Sequence, residues 1–138
     1  MPFLIDSNVL IDVSRGNAGA IKYVDRLPEP WALSQVTAME LIVGARDKRD
    51  LATIDGFLSL YPLVPLSDSI GTAACRLLKT DAKSHGLHVF DSLIAATAME
   101  KALTLVTLNR KHDQMIEGLQ LEVPVTKLRC PSGSVPPR

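Results

Sequence analysis

A chain of 138 residues fits one domain, and 46% hydrophobic against 22% charged residues excludes a disordered chain. The 15 lysines and arginines balance the 15 aspartates and glutamates, so no global field draws the chain to nucleic acid. Binding of that kind has to rest on a local basic patch.

Phe3 to Ile5 is a short apolar run of the kind buried in a parallel sheet. Asp6-Ser7-Asn8 supplies cap chemistry for a helix from about Val9 to Gly16. Gly19 to Leu27 reads as a second helix, broken by Pro28 and Pro30, and Trp31 to Ser34 as a second strand. Thr37-Ala38-Met39-Glu40 matches a capping box that opens a helix to about Arg46. Arg49 to Leu60 is helical, Tyr61 to Pro65 is a third strand, and Asp68 to Ser84 is a long helix ended by His85-Gly86. Asp91 to Ala102 is an alanine-rich helix, Leu103 to Thr107 a fourth strand, and Arg110 to Glu117 a short helix. Leu121 to Val123 is a candidate fifth strand, and a proline- and serine-rich stretch follows from Pro124.

Strands alternating with helices predict an α/β domain: a central, mostly parallel sheet of four to five strands flanked by helices. Residues 1–124 form that domain on this reading, and 125–138 a flexible tail. Cys75 sits in an apolar helical pattern and Cys130 in the tail, a spacing that suits neither a disulfide framework nor a zinc site. No signal peptide is visible, and no uncharged apolar run reaches the roughly 18 residues of a membrane span. A cytoplasmic location is the expectation.

Four polar-acidic spots stand at element ends. They are Asp6, Glu40, Asp91 and the cluster Thr107-Leu108-Asn109-Arg110-Lys111-His112-Asp113. In a parallel sheet such positions converge at the carboxyl edge, near a switch in strand order. Converging carboxylates demand a cation, and hard oxygen ligands suit Mg²⁺ or Mn²⁺. Simpler readings remain for each: Asp6, Ser7 or Asn8 as a cap, Glu40 as part of the Thr37 box, and Asp91 as a first-turn acid favoured by the helix dipole. Thr107 and Asn109 either cap the next helix or orient the carboxylates. His85 and His88 read as loop residues. Arg110, Lys111 and Arg46 are the candidate phosphate contacts, against a solvated surface as the simpler alternative.

At these residues the chain resembles the PIN-domain ribonucleases, and among them the VapC-type toxins of VapBC toxin–antitoxin pairs. The matching elements are Leu4-Ile5-Asp6-Ser7-Asn8-Val9-Leu10, Ser34 to Leu41 with Gly44-Ala45 beyond, Phe90 to Ala98, and Leu105-Val106-Thr107-Leu108-Asn109. They span roughly residues 2 to 123 in the family's order. The resemblance implies a metal-dependent endoribonuclease with Asp6, Glu40 and Asp91 as catalytic, Mg²⁺- or Mn²⁺-binding acids, supported by Asn8, Thr107 and Asn109. It also implies a VapB-type antitoxin partner and a homodimer. The family's fourth acid has its place at His112 here, with Asp113 one residue later. Three readings stand at that point: His112 as a neutral ligand or proton carrier, Asp113 in the acid's stead, or a dispensable fourth acid. The last leads to the rival expectation of a catalytically impaired module that binds RNA or a partner without cleaving.

Overall fold

The computed structural model describes residues 3–27, 31–108 and 110–124. Five short strands build one parallel sheet: Phe3–Ile5 (β1), Trp31–Ser34 (β2), Leu63–Val64 (β3), Thr104–Val106 (β4) and Leu121–Glu122 (β5). Their spatial order is β3-β2-β1-β4-β5. The helices are Ser7–Ser14 (α1), Ala18–Arg26 (α2), Gln35–Val43 (α3), Lys48–Leu58 (α4), Asp68–His85 (α5), Val89–Glu100 (α6) and Arg110–Asp113 (α7). The expected α/β architecture holds, with every strand pair parallel.

Alternation along β1 divides the core between the two sheet faces. Phe3 and Ile5 pack with Val9, Leu10, Val24, Trp31, Leu33 and Val106 on one side. Leu4 packs with Val36, Ile94, Ala98 and Leu105 on the other. The alanines of α6 let another helix come close: Ala95, Ala96 and Ala98 are fully buried, and Ala96 meets Ala73 and Ala74 of α5. Gly86 closes α5 with φ +71°, a left-handed turn that a side chain resists.

Two local expectations change. Ser34, the last residue of β2, caps α3 by accepting from the Thr37 amide at 3.0 Å. The helix therefore opens two residues before the Thr37 box, and Glu40 lies in its second turn. The capping explanation of Glu40 falls with that shift. His85 is the last residue of α5 rather than a loop residue, and its Nδ1 lies 3.2 Å from the buried Asp81 carboxylate. Cys75 is exposed on α5, and Cys130 lies outside the described residues. Among the described residues no helix is long and apolar enough to cross a membrane.

Candidate active site at the carboxyl edge of the sheet

The strand order reverses between β1 and β4. After β1 the chain crosses to β2 on one side, while β4 pairs on the other. Parallel sheets bind ligands in the crevice at such a point. Asp6 and Thr107 are the first residues past these two strands. Their register follows from the pairing of Ile5 with Val106, and the Asp6 amide donates to the Val106 carbonyl at 2.9 Å.

Asp6 is 6% exposed. Its Oδ1 accepts from the Ser7 amide at 2.7 Å and so caps α1. Capping leaves the second oxygen free for other partners, and Oδ2 accepts from Thr107 Oγ1 at 2.8 Å. Asn8 ties the same two loops together: its Nδ2 donates to Thr107 Oγ1 at 3.2 Å, and its Oδ1 accepts from the Leu108 amide at 3.1 Å. Thr107, fully buried, thus orients a carboxylate. Asn109 lies outside the described residues.

Glu40 reaches the same place from α3. Its Oε1 accepts from Ser7 Oγ at 2.9 Å, and that hydroxyl stands 3.4 Å from Asp6 Oδ1. Ser7 is thus a bridge between two carboxylates, a role that the sequence reading missed. The only signal for it is a hydroxyl directly after an acid at a strand end. Removing it by Ser7→Ala leaves α1 capped by Asp6 but frees Glu40. We expect a roughly 10–100-fold loss of metal affinity or of kcat/KM at limiting metal, with an unchanged melting curve. Activity measured across a metal titration checks this, and a wild-type profile would remove Ser7 from the site.

Asp91 stands in the first turn of α6, half-buried. Asp113, the last residue of α7, is 2% exposed. Burial pushes its carboxyl up to about 7, and the charges of Asp6 and Asp91 add to the effect. Burial likewise raises Asp6 and Glu40 above their ordinary values, with a further contribution from Asp91 in each case. The charge of Asp91 thus acts on Asp6, Glu40 and Asp113, and that of Asp6 on Glu40 and Asp113, which puts the acids in one electrostatic neighbourhood. The backbone brings Asp113 into the core beside the cluster, while the side chain of His112 lies outside the described residues.

No described lysine, arginine or histidine forms an ion pair with any of the four acids. The two close pairs of opposite type among the described residues lie elsewhere: Arg46 holds Asp50 at 2.8 Å, and His85 stands 3.2 Å from Asp81. Arg46, just before the cap of α4, is 86% exposed and engaged by Asp50 of that helix's first turn. Arg110 and Lys111 are exposed on α7, the helix that carries Asp113. Among the described residues no three acids, histidines or cysteines stand close enough to grip an ion as they are. The donor set is nonetheless all oxygen, acidic, desolvated and uncompensated, which is the chemistry that suits a hard divalent cation.

The comparisons agree with this geometry. The model of the PIN domain matches residues 3–117. Ribonuclease VapC19 of Mycobacterium tuberculosis is 32% identical over 121 residues, spanning 85% of this chain and 96% of its own length. The tRNA(fMet)-specific endonuclease VapC of Shigella flexneri is 28% identical over 88% of this chain and 97% of its own. Among solved structures, a toxin–antitoxin complex from Klebsiella pneumoniae contains a chain that aligns with a TM-score of 0.74 at 30% identity, covering 85% of this chain and 94% of that one. A match along nearly the whole described fold, with acids gathered where that fold switches strand order, places this chain in the PIN-domain family, beside relatives that are VapC-type ribonucleases.

Proposed function

We propose that this protein is a metal-dependent endoribonuclease toxin of the VapC type, held in check by a small cognate antitoxin. The observation that carries the reading is the meeting of Asp6, Glu40, Asp91 and Asp113, supplied by four separate elements, without a described cation among them. Relatives named as ribonucleases and a similar chain from a toxin–antitoxin complex support the activity and the partner. Residues 1–124 form the nuclease domain, and the protein works in the cytoplasm, where its substrate is, as a homodimer.

Asp6, Asp91 and Glu40 hold Mg²⁺ or Mn²⁺, and Asp113 serves as the fourth acid in place of the preceding residue. When bound, the ion lowers the pKa of a water molecule and offsets charge on the scissile phosphate. Thr107 and Ser7 fix the directions in which Asp6 and Glu40 present their oxygens. Asn8 keeps the segments after β1 and β4 together, and Asn109 is the remaining supporting residue of the motif. Arg110 and Lys111 meet the backbone phosphates of the RNA, with Arg46 as a further surface contact once it leaves Asp50.

Total cellular RNA incubated with the purified protein tests the reading. Discrete fragments in Mg²⁺ or Mn²⁺ that vanish in EDTA and in Asp6→Ala are the expected result. Intact RNA with a folded, antitoxin-free protein would favour the impaired module that binds without cleaving.

A further inference from the structure

We propose that Phe90 is a stacking platform for a base of the RNA strand next to the scissile phosphate. The proposal rests on the ribonuclease reading and adds to it a preference for an unpaired nucleotide at the cut.

The six aromatic rings of the chain divide sharply. Phe3 and Trp31 are buried in the core. Tyr23, Phe57 and Tyr61 pack against that core, with Tyr61 stacked on Trp31 at 4.2 Å and tilted against Phe57 at 5.1 Å. Phe90 belongs to no core cluster, meets no other ring among the described residues, and is 57% exposed. The inward face of α6 is filled by Ser92, Ile94, Ala95, Ala96, Thr97 and Ala98, and Phe90 is not part of it.

A single exposed apolar residue is ordinary on a protein surface. The position of this one is what carries weight. Phe90 directly precedes Asp91, its Cα about 3.8 Å from that of the acid, in the first turn of α6. The helix α7 packs on α6, and it carries exposed Arg110 and Lys111 together with Asp113, which feels the charge of Asp91. Cations that track a phosphate backbone, with one aromatic face beside them, are the combination by which proteins grip single strands. Every base offers a π-face, so the grip tolerates sequence. Duplex RNA keeps its bases stacked inside and leaves the ring unused.

The test compares wild type, Phe90→Ala and Phe90→Trp. Cleavage kinetics are measured on the RNA that the wild type cuts, and binding on a single-stranded oligoadenylate of about 12 nucleotides. Phe90→Ala should raise KM and weaken oligoadenylate binding about tenfold or more, with kcat within a few-fold and an unchanged melting temperature. Phe90→Trp should keep the wild-type KM, and the fluorescence of its indole should fall as oligoadenylate binds. A wild-type KM in Phe90→Ala, or an unquenched indole in a variant that cleaves normally, overturns the proposal. So does a Phe90→Ala variant that keeps its RNA kinetics but loses a co-expressed protein partner, which would make the ring a protein contact. A folded wild type that neither cuts nor binds RNA removes the ribonuclease reading itself, and that outcome is visible before any variant is made.

Discussion

Asp6→Asn should lower RNA cleavage by about a thousandfold while leaving the protein folded. Asparagine is nearly the same shape and caps helices as well as aspartate: its oxygen can still accept from the Ser7 amide, while its amide nitrogen can donate to the Thr107 hydroxyl that now donates to Asp6. What it loses is the negative charge at the point where the strand order reverses. Removing one pre-placed electrostatic group typically costs about 10²–10³ in rate, and a lost metal ligand takes its ion with it. The variant should also be more stable than wild type without metal, because a desolvated carboxylate is gone. Single-turnover cleavage and a thermal melt in EDTA measure the two effects. A variant that cleaves within tenfold of wild type would take Asp6 out of the chemistry.

Metal-free protein should grow less stable as pH rises from about 4 to about 7. Asp113 is raised from 3.8 to about 7 by burial and by the charges of Asp6 and Asp91. Below 3.8 both the folded and the unfolded chain hold its proton, and nothing is lost. Between 3.8 and about 7 the unfolded chain releases the proton that the folded one keeps, so each pH unit weakens the fold. Above about 7 the loss levels off. At ~1.36 kcal/mol per pH unit, Asp113 alone accounts for roughly 4 kcal/mol at most. Asp6 and Glu40, also raised, act in the same direction. Asp113→Asn should flatten the curve. Divalent metal should offset part of the loss: at a hundredfold excess over Kd it adds ~2.7 kcal/mol, or about 5–10 °C for a chain of this size. Melting curves from about pH 4 to about 8, which bracket the rise of Asp113 from 3.8 to about 7, with EDTA and with Mg²⁺, decide the matter. Flat stability in EDTA across that range would mean that the acids are not buried together.

The sequence announced the parts of this fold that depend on pattern. Phe3 to Ile5 and Trp31 to Ser34 are too short and too apolar to be anything but buried strands, and the alanines of α6 say that another helix lies close. Element boundaries were harder, because a cap depends on where the backbone bends. β2 runs into α3 with no intervening loop, so Ser34 took the cap ahead of Thr37. That slip decides how Glu40 reads, since a second-turn glutamate has no capping task. Asp113 posed a similar problem. Adjacent residues on a helix point about 100° apart, so whether the acid at 113 turns inward depends on the start of a four-residue helix. The bridging role of Ser7 is a tertiary fact, created when α3 lays Glu40 across the end of β1. Phe90 is legible as an aromatic within a motif, but its exposure appears only once the small residues have filled the other face of α6.

Titration of Mn²⁺ into the purified protein, read from the free-ion signal in electron paramagnetic resonance, goes most directly to the claim that the four acids form one metal-holding site. Wild type should take up Mn²⁺ with saturation, and Asp6→Asn and Asp91→Asn should each weaken uptake at least tenfold. Uptake unchanged in both variants, or none in wild type, would contradict a metal-dependent site at the junction of β1 and β4.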